Sequence, residues 1–410
     1  MSDSNALALH GGRPVRERML PYGRHEVDEI DIQSVVDVLR GDWLTNGPTV
    51  ARFEQAFAEV VGARFAVAFS SGTAALHGAA DAAGIEPKDE VITSPLTFLA
   101  SANCVLYCGG RPVFADVDPE TLNLDPAAVE ACLTPRTKAI LPIHFAGLPC
   151  DMTAIHAIAR SRNLTVIEDA AHALGAEIGG RRIGSLSDLT TFSFHPVKHI
   201  TTGEGGMVTV NEPALAERLR RFRNHGIDRE VRQRQATWMQ DMVAFGFNYR
   251  LTDVQSALGL SQLRRLDARL KRRAEIAGRY LEAFAAMPEV TTAPTRPGTR
   301  HAWHIYPLQL NLDRLRQDRE AIFQALRAEN VGVSVHYRPV HLHPYYREHL
   351  GTSLGQFPAA EAAFERLITL PLFPAMTDAD VADVIAAVQK VIRWARMISA
   401  GPACVDWRAK

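Results

Sequence analysis

The sequence has few cysteines, no long run of charges of one sign and no long apolar stretch, and each absence excludes a class of protein. Its five cysteines (Cys104, Cys108, Cys132, Cys150 and Cys404) form no CxxC pair and no Cys/His ligand spacing. We therefore expect free thiols in a reducing cytoplasm and no metal site. The formal net charge is −1 over 410 residues, which argues against a polyanion-binding surface and so against nucleic acid as a partner.

The beginning of the sequence and its hydropathy also argue against export and membrane insertion. Met1–Asn5 includes no charged segment followed by an apolar core, so no signal peptide is visible. No uncharged apolar run approaches the roughly 20 residues that span a bilayer. These observations predict a cytoplasmic protein without a membrane partner.

What is present is a pattern of alternating strands and helices. Hydrophobic residues make up 47% of the chain, enough for a large core and more than one domain. Between about residues 63 and 210, short apolar runs alternate with helix-length segments, which predicts an α/β fold with a mainly parallel sheet covered by helices on both faces. The seven predicted strands are Phe65–Phe69, Glu90–Thr93, Pro112–Ala115, Ala139–Ile143, Leu164–Glu168, Thr190–Phe194 and Met207–Val210.

The pattern changes after Leu251 and predicts a smaller α+β domain. A long amphipathic segment runs from Thr252 to about Ala286. The predicted elements that follow are a strand (His304–Leu310), a helix (Asp318–Glu329), a second strand (Val331–Tyr337) and a final helix (Asp378–Met397). We place the domain boundary between residues 1–265 and residues 266–410.

Lys198 and Asp169 carry the first indication of chemistry. An isolated lysine is usually a surface charge, but Lys198 lies between an apolar run and the glycine-rich turn Gly203–Gly206, and few exposed loops have such flanks. Asp169 follows a predicted buried strand, where it could also be a turn residue or a helix cap. A lysine that can form an imine and a carboxylate that can keep a ring nitrogen protonated are what pyridoxal phosphate (PLP) chemistry requires.

Four further positions fit this interpretation, and three of them also have an ordinary structural explanation. Ser71-Gly72-Thr73 follows a predicted strand and begins a helix, which is either a phosphate site or a plain N-cap. Ser193 could supply a hydroxyl to a phosphate. His172 could contact a cofactor ring or be a hydrogen-bonded structural histidine, and Phe98 could cover a flat ring or belong to the core.

Taken together, these motifs resemble the sugar aminotransferases of the DegT/DnrJ/EryC1/StrS family, which are fold-type I PLP enzymes. The resemblance covers nearly the whole chain and implies a large PLP-binding domain with a mixed, mainly parallel seven-stranded sheet and an N-terminal substrate segment. It also implies a smaller α+β C-terminal domain and a homodimer with shared active sites. The matching segments are Gly11–Val15, Trp43–Pro48, Ser71–Thr73, Glu168–His172, Gly203–Gly206, Arg223–Gly226 and Asn248–Leu251.

The resemblance implies a role for each candidate around the cofactor ring. Lys198 matches the lysine that forms an imine with PLP, and Asp169 matches the acid bonded to the pyridine nitrogen. Phe98 matches the aromatic residue stacked on the ring. His172 occupies a position, Gln or His in the family, beside the ring and its phenolic oxygen.

The cofactor phosphate is assigned by the same resemblance. Gly72, Thr73 and Ser193 match the residues that cradle it. Asn248 matches an asparagine that is donated to the cofactor phosphate of the neighbouring subunit. A dimer with two active sites at one interface follows from that assignment.

Four segments narrow the choice of substrate because they look like the pseudaminic acid branch of the family. They are His195–Lys198, Pro95–Phe98, Ala173–Gly175 and His336–Pro339. That branch uses L-glutamate to aminate C4 of UDP-4-keto-6-deoxy-N-acetyl-β-L-altrosamine, a UDP-linked keto sugar. Alternatives are another 4-keto or 3-keto sugar nucleotide, an aminocyclitol or a PLP-binding regulatory protein. A PLP-dependent dehydratase is disfavoured because that offshoot replaces the lysine with histidine. The residues that match the sugar-nucleotide pocket are Tyr22, Trp43, Leu44, Thr45, His336 and Tyr337, and the segment after Arg396 carries no motif.

Overall fold

The computed structural model describes residues 6–228, 238 and 240–396. The tail after Arg396, for which the sequence suggested no role, lies outside the described residues. The strands, in chain order, are β1 Phe65–Phe69, β2 Glu90–Thr93, β3 Arg111–Phe114, β4 Thr137–Leu141, β5 Thr165–Asp169, β6 Glu177–Ile178, β7 Arg181–Arg182, β8 Leu189–Ser193, β9 Gly206–Val210, β10 Ile227–Asp228, β11 Asp241–Met242, β12 Val290–Thr291, β13 Thr299–Arg300, β14 Tyr306–Leu310 and β15 Leu367–Leu370.

The described α-helices lie before, between and after these strands in the sequence. In chain order they are α1 Glu29–Arg40, α2 Pro48–Val61, α3 Gly72–Ala82, α4 Leu99–Tyr107, α5 Pro126–Ala131, α6 Met152–Arg162, α7 Pro213–Phe222, α8 Asp253–Leu263, α9 Leu266–Phe284, α10 Arg319–Ala328, α11 Pro344–Leu350, α12 Pro358–Arg366 and α13 Asp378–Ala395. Several begin at a side chain that accepts an amide hydrogen of the first turn, as at Ser71, Thr252 and Thr377.

A seven-stranded sheet, in the order β1-β9-β8-β5-β4-β2-β3, organises the N-terminal part. Six of its strands are parallel to one another, and only β9 runs in the opposite direction. All the predicted strands of this sheet are present. Because β9 is reversed, its first residue, Gly206, lies at the same edge as the carboxyl ends of the other six strands.

Helices cover both faces of this sheet. On one face, α3, α4 and α7 bury residues such as Leu76, Val105 and Leu219. On the other face, α2 packs Phe53 and Phe57 against the sheet. An α/β fold with a mainly parallel sheet sandwiched by helices is confirmed.

The C-terminal part builds its core around the antiparallel sheet β12-β14-β15, covered by α9, α10 and α13. The predicted strand over Val331–Tyr337 is wrong. Only isolated bridges occur there, from Val331 to Leu20 and from Ser334 to Thr369, and the strand that pairs with β14 is β15. The N-terminal segment joins this core through Leu7 and Leu20. The division at residue 265 stays a prediction.

Helix α9 belongs to both cores. Leu266 and Leu270 pack in the core that contains Phe53 and Phe57, whereas Ile276 and Tyr280 pack in the C-terminal core. The amphipathic segment predicted from Thr252 onward is therefore two helices, because the chain breaks between α8 and α9 at Arg264–Arg265.

Candidate active site

A cavity of about 410 Å³ opens at the edge of the large sheet where six of its strands end. Parallel sheets bind their ligands at this edge. Ten of the predicted site residues line the cavity: Tyr22, Gly72, Thr73, Phe98, Asp169, His172, Ser193, Lys198, His336 and Tyr337.

The start of helix α3 and the start of strand β9 approach each other very closely. Gly206 pairs with Phe69 of β1 and with Ser193 of β8. A Cβ atom at Gly206 would lie 2.4 Å from the carbonyl oxygen of Ser71, and one at Gly72 would lie 2.8 Å from Cβ of Ser193. Only glycine permits this approach, which brings the unpaired amides at the N-terminus of α3 to the cavity wall.

A single side chain caps the N-terminus of α3 and occupies only one amide, so the first backbone amides of the helix remain available as donors. The hydroxyl of Ser71 accepts the amide hydrogen of Ala74 at 3.1 Å. The first amides of α3, the hydroxyl of Thr73 and the hydroxyl of Ser193 face the cavity from two sides. This arrangement suits a phosphate group, because the helix dipole and the amide donors both favour an anion.

Asp169 is the last residue of β5 and not the residue after it, as the sequence predicted. Its carboxylate is held in place: Oδ2 accepts the Ser101 hydroxyl at 2.7 Å, and Oδ1 accepts the Ala171 amide at 3.0 Å. The Ser101 hydroxyl oxygen is also 2.9 Å from the hydroxyl oxygen of Thr97. The result is an oriented, buried carboxylate at the floor of the cavity.

Lys198 lies in a turn after β8, and its backbone amide donates a hydrogen bond to the carbonyl oxygen of His195 at 2.9 Å. Burial lowers the pKa of Lys198 to about 8, with Arg273 lowering it further and Asp169 opposing the shift. An amine with such a pKa is substantially neutral in mildly alkaline solution, which a nucleophile or a base requires.

One ring nitrogen of His172 has a hydrogen-bond partner, and the other has none among the described residues. Its Nε2 lies 3.1 Å from the hydroxyl oxygen of Tyr337, whereas its buried Nδ1 has no hydrogen-bond partner among the described residues. Burial is the main cause, and the charge of Lys198 the second, of a pKa of His172 that lies well below its ordinary value. The residue therefore presents a neutral imidazole, as does His336, whose pKa burial and Lys198 lower to about 4.

Several cavity residues were not predicted from the sequence. Ser101 orients Asp169, and His304 places Nε2 at 3.3 Å from Nζ of Lys198. His304 is separated from Lys198 by 106 residues. The only signal for it in the sequence is a pair of histidines, His301 and His304, at the start of the predicted strand His304–Leu310.

Four predicted site residues lie outside the cavity. Trp43, Leu44 and Thr45 are on the surface beside the N-terminus of α8, where the Leu44 carbonyl oxygen accepts the Asp253 amide at 3.0 Å. Asn248 is exposed and forms an isolated bridge with Asn224. Their assignment to a substrate pocket or to a neighbouring subunit stays a prediction.

The residues of the cavity fit PLP. The close approach of Gly72, Ser193 and Gly206 brings the start of α3 to the cavity wall, where its amides can bind a phosphate. The buried carboxylate of Asp169 and the amine of Lys198 are the two groups that the PLP ring requires. The unpartnered Nδ1 of His172 is a polar atom that a ring substituent could satisfy.

Comparison with solved structures places the fold. The structure of PseC from Helicobacter pylori, an aminotransferase involved in the biosynthesis of pseudoaminic acid, matches with a TM-score of 0.87 and 29% identity over 92% of this chain and 100% of that one. The PLP form of Spr1654 from Streptococcus pneumoniae matches with a TM-score of 0.86 and 30% identity, over 92% of this chain and 99% of that one. The protein is a fold-type I PLP-dependent enzyme.

Sequence comparison identifies the family. Residues 25–389 match the DegT/DnrJ/EryC1/StrS aminotransferase family, and SpsC of Bacillus subtilis, a spore coat polysaccharide biosynthesis protein, is 46% identical over 93% of this chain and 99% of its own length. The chain belongs to the DegT/DnrJ/EryC1/StrS family. It is a PLP-dependent aminotransferase that acts on a sugar substrate with an amino donor.

Two kinds of feature are absent from the described ranges. None of the helices found there is both long and apolar enough to cross a membrane. Within those same ranges, no group of three or more His, Cys, Asp or Glu side chains is arranged to hold a metal ion.

Proposed function

We propose that the enzyme transfers the amino group of L-glutamate to C4 of a UDP-linked 4-keto-6-deoxy sugar, with UDP-4-keto-6-deoxy-N-acetyl-β-L-altrosamine as the substrate, in the synthesis of a pseudaminic acid-type sugar. The observation that carries the proposal is the meeting of Lys198, Asp169 and the glycine-lined helix start in one cavity. The segments around Lys198, Phe98 and His336 and the similarity to PseC support the choice of sugar.

The cavity wall beyond Lys198 carries neutral polar groups that suit a sugar. Tyr22, His336 and Tyr337 are neutral groups with hydrogen-bonding capacity, and the rings of Tyr22 and His336 lie 5.4 Å apart. Neutral donors and acceptors of this kind match the hydroxyl, carbonyl and acetamido groups of a keto sugar.

Each site residue has a proposed task. Bound in this cavity, PLP would supply an amino-group carrier between donor and sugar and an electron-withdrawing ring. Asp169 holds the ring nitrogen protonated, and the start of α3 with Thr73 and Ser193 holds the phosphate. Nζ of Lys198 accepts the proton that leaves Cα of the donor. Phe98, 57% exposed at the start of α4, covers one ring face.

One assay separates the cofactor reaction from the choice of substrate. Purified enzyme is incubated with L-glutamate while the absorbance of the cofactor is followed, and candidate UDP-linked 4-keto and 3-keto sugars are then added separately. We expect glutamate to convert the cofactor to its amino form and the altrosamine ketone to reverse that change. Failure with glutamate but conversion with another amino acid would refute the donor, and turnover of a different sugar alone would refute the substrate.

A matched pair of lysine variants tests the catalytic assignment. Lys198→Ala should not become covalently linked to PLP and should lose turnover. Lys271→Ala removes an exposed lysine of α9 and should behave as wild type. Full turnover by Lys198→Ala would refute the proposed role of Lys198.

We also propose a homodimer in which Asn248 completes the active site of the neighbouring subunit. Exposed apolar side chains near that region support an interface: Trp43, Leu44, Met242, Val243 and Phe245 are each more than half exposed. Such a surface is unusual for a protein that remains monomeric.

Mixing two inactive variants tests the shared site. Lys198→Ala and Asn248→Asp chains are unfolded together and refolded, so that mixed dimers form. If Asn248 serves the neighbouring subunit, each mixed dimer contains one intact site and activity returns. If Asn248 serves its own subunit, every site in the mixed dimer lacks one residue and no activity returns.

A further inference from the structure

We propose that His304 is a positioning residue for Lys198: its imidazole accepts a hydrogen bond from Nζ and holds the amine at the cavity wall whenever the amine is not bonded to the cofactor. The inference rests on the proposed function, since it assumes that Lys198 is the lysine that bonds to PLP and is released during each turnover. It adds a contact to Lys198 that comes from the C-terminal part of the chain.

The geometry around His304 leaves its ring little freedom. Nε2 lies 3.3 Å from Nζ of Lys198, and the residue is only 5% exposed. Its ring centroid is 4.3 Å from that of His172, with the planes inclined by 37°, and 5.5 Å from that of His199. Packed between two other imidazoles, the ring is held with one nitrogen directed at the amine.

The backbone of His304 is fixed from two sides. Its amide donates to the carbonyl oxygen of Ala146 at 2.9 Å. The buried guanidinium of Arg273, on α9, donates to the carbonyl oxygens of Trp303, His304 and Leu372 at 3.1, 3.0 and 3.0 Å. A segment secured in this way is suited to placing one side chain accurately.

Arg273 is also a charge beside the amine. In the described part of the chain it forms no ion pair with a carboxylate, so its partners are carbonyl oxygens. Arg273 therefore opposes protonation of Lys198, whereas a hydrogen bond to His304 favours the ammonium form. The other titratable groups that face Lys198 are Asp169 from β5, His172 from the turn after β5, His195 and His199 from its own turn, and His336 from the C-terminal part.

His304 can accept this hydrogen bond because it stays neutral. Burial, followed by the charge of Lys198, holds the pKa of His304 well below its ordinary value. A neutral imidazole has one nitrogen with a lone pair, and Nε2 accepts from Nζ in the tautomer whose hydrogen is on Nδ1, an atom that is buried without a hydrogen-bond partner among the described residues. A cationic imidazole at this distance would repel the ammonium group instead.

The test measures the pKa of Lys198 in enzyme loaded with pyridoxamine phosphate, a form in which the amine is free. Labelling with an amine-selective reagent is followed against pH, and the Lys198 peptide is quantified by mass spectrometry. In His304→Leu the ammonium loses its acceptor, and we expect the pKa to fall by about one unit, the size of one hydrogen bond to a charged donor. His304→Gln, which keeps an acceptor, should restore most of the shift.

A second variant and a control distinguish positioning from general loosening of the site. Arg273→Met removes the neighbouring cation and should raise the pKa of Lys198, in the opposite direction to His304→Leu. His156→Leu removes a half-buried histidine bonded to Ser187 outside the cavity and should leave the pKa unchanged. A loosened site would admit water and raise the pKa in the His304 variants too.

An unchanged or raised pKa in His304→Leu would overturn the inference, even if Arg273→Met fails to fold. The proposed function is checked separately, by reducing the PLP-loaded wild type with borohydride and searching for an adduct on Lys198. Absence of the adduct would refute the role of Lys198. Presence of the adduct together with an unshifted pKa would refute only the contribution of His304.

Discussion

Replacement of Gly206 by alanine tests how the phosphate end of the site is built. In Gly206→Ala the new Cβ would lie 2.4 Å from the carbonyl oxygen of Ser71 and 2.9 Å from Cα of Gly72. These are backbone atoms and cannot rotate away, so β9 and the start of α3 must separate by about 1 Å to reach ordinary contact. Overpacking of this kind costs about 1–3 kcal/mol of stability.

The separation should weaken PLP binding more than it weakens the fold. Displacing the first amides of α3 by that distance spoils at least one hydrogen bond to a charged phosphate, worth about 1.5 kcal/mol, which corresponds to roughly a tenfold rise in the dissociation constant. We would measure the constant by absorbance titration and the stability by urea unfolding with and without PLP. Pyridoxal, which lacks the phosphate, should show a smaller change in affinity.

The matched control is Gly278→Ala. Gly278 is an exposed residue inside α9, and a Cβ there would have no atom within 4 Å. This variant should bind PLP as wild type does and gain about 0.5–1 kcal/mol of stability, because alanine favours the helix. Unchanged PLP affinity in Gly206→Ala would refute the idea that this close approach shapes the phosphate site.

Three further predictions concern single carboxylates and the lysine. Asp169→Asn keeps an acceptor for the Ala171 amide, so we expect a folded protein that binds PLP but turns over at least about a hundredfold more slowly, as measured in single-turnover experiments. Lys198 has a folded pKa of about 8 against an ordinary 10.5, so the unfolded chain binds more protons between those values. The unfolding free energy of the cofactor-free protein should therefore rise with pH across that window by up to about 3 kcal/mol more than in Lys198→Met. Glu329→Gln should cost about 2–3 kcal/mol and expose residues 6–20 to proteases, because the buried carboxylate accepts the amides of Ala8 and Val15 and the ammonium group of Lys390.

Each of these has a clear contrary result. Wild-type turnover by Asp169→Asn would show that the carboxylate does not act on the ring nitrogen. Identical pH dependence of unfolding in wild type and Lys198→Met would show that the amine is not buried in the cofactor-free protein. Glu329→Gln with an intact N-terminal segment after limited proteolysis would show that other contacts suffice to hold it.

The large sheet could be predicted from sequence because its strands are nearly continuous apolar runs. Phe65–Phe69 and Glu90–Thr93 were predicted at their observed bounds, and the other five strands of this sheet shift by at most two residues at either end. The C-terminal sheet was harder. Val331–Tyr337 is rich in β-branched residues, yet it lies beside Leu20 and Thr369 through single bridges only. The strand that pairs with β14, Leu367–Leu370, has four residues directly after a helix and gives little periodic signal.

The site residues also divide into those that local sequence revealed and those that it did not. Asp169 and Gly72 were found because each lies just past a strand of the predicted sheet, and such positions converge at one edge. Lys198 was found because it lies between an apolar run and the glycine-rich turn Gly203–Gly206. Ser101 and His304 were missed because their roles depend on contacts across 68 and 106 residues of sequence. A serine inside a helix or a histidine before a strand has no local feature that reveals such a contact. Asn248 and Trp43 were predicted only through the family resemblance.

Helix α9 has a consequence for how the enzyme receives its substrate. A 19-residue helix is about 28 Å long, and this one places Leu270 against Gly175, in the turn that follows His172, and Arg273 against the backbone of His304. One helix that packs in both hydrophobic cores thus fixes the neighbouring residues His172 and His304 relative to each other before any ligand arrives. Substrate binding should therefore need little closure of one half of the molecule over the other, so free and ligand-bound enzyme should have nearly equal radii of gyration in solution scattering.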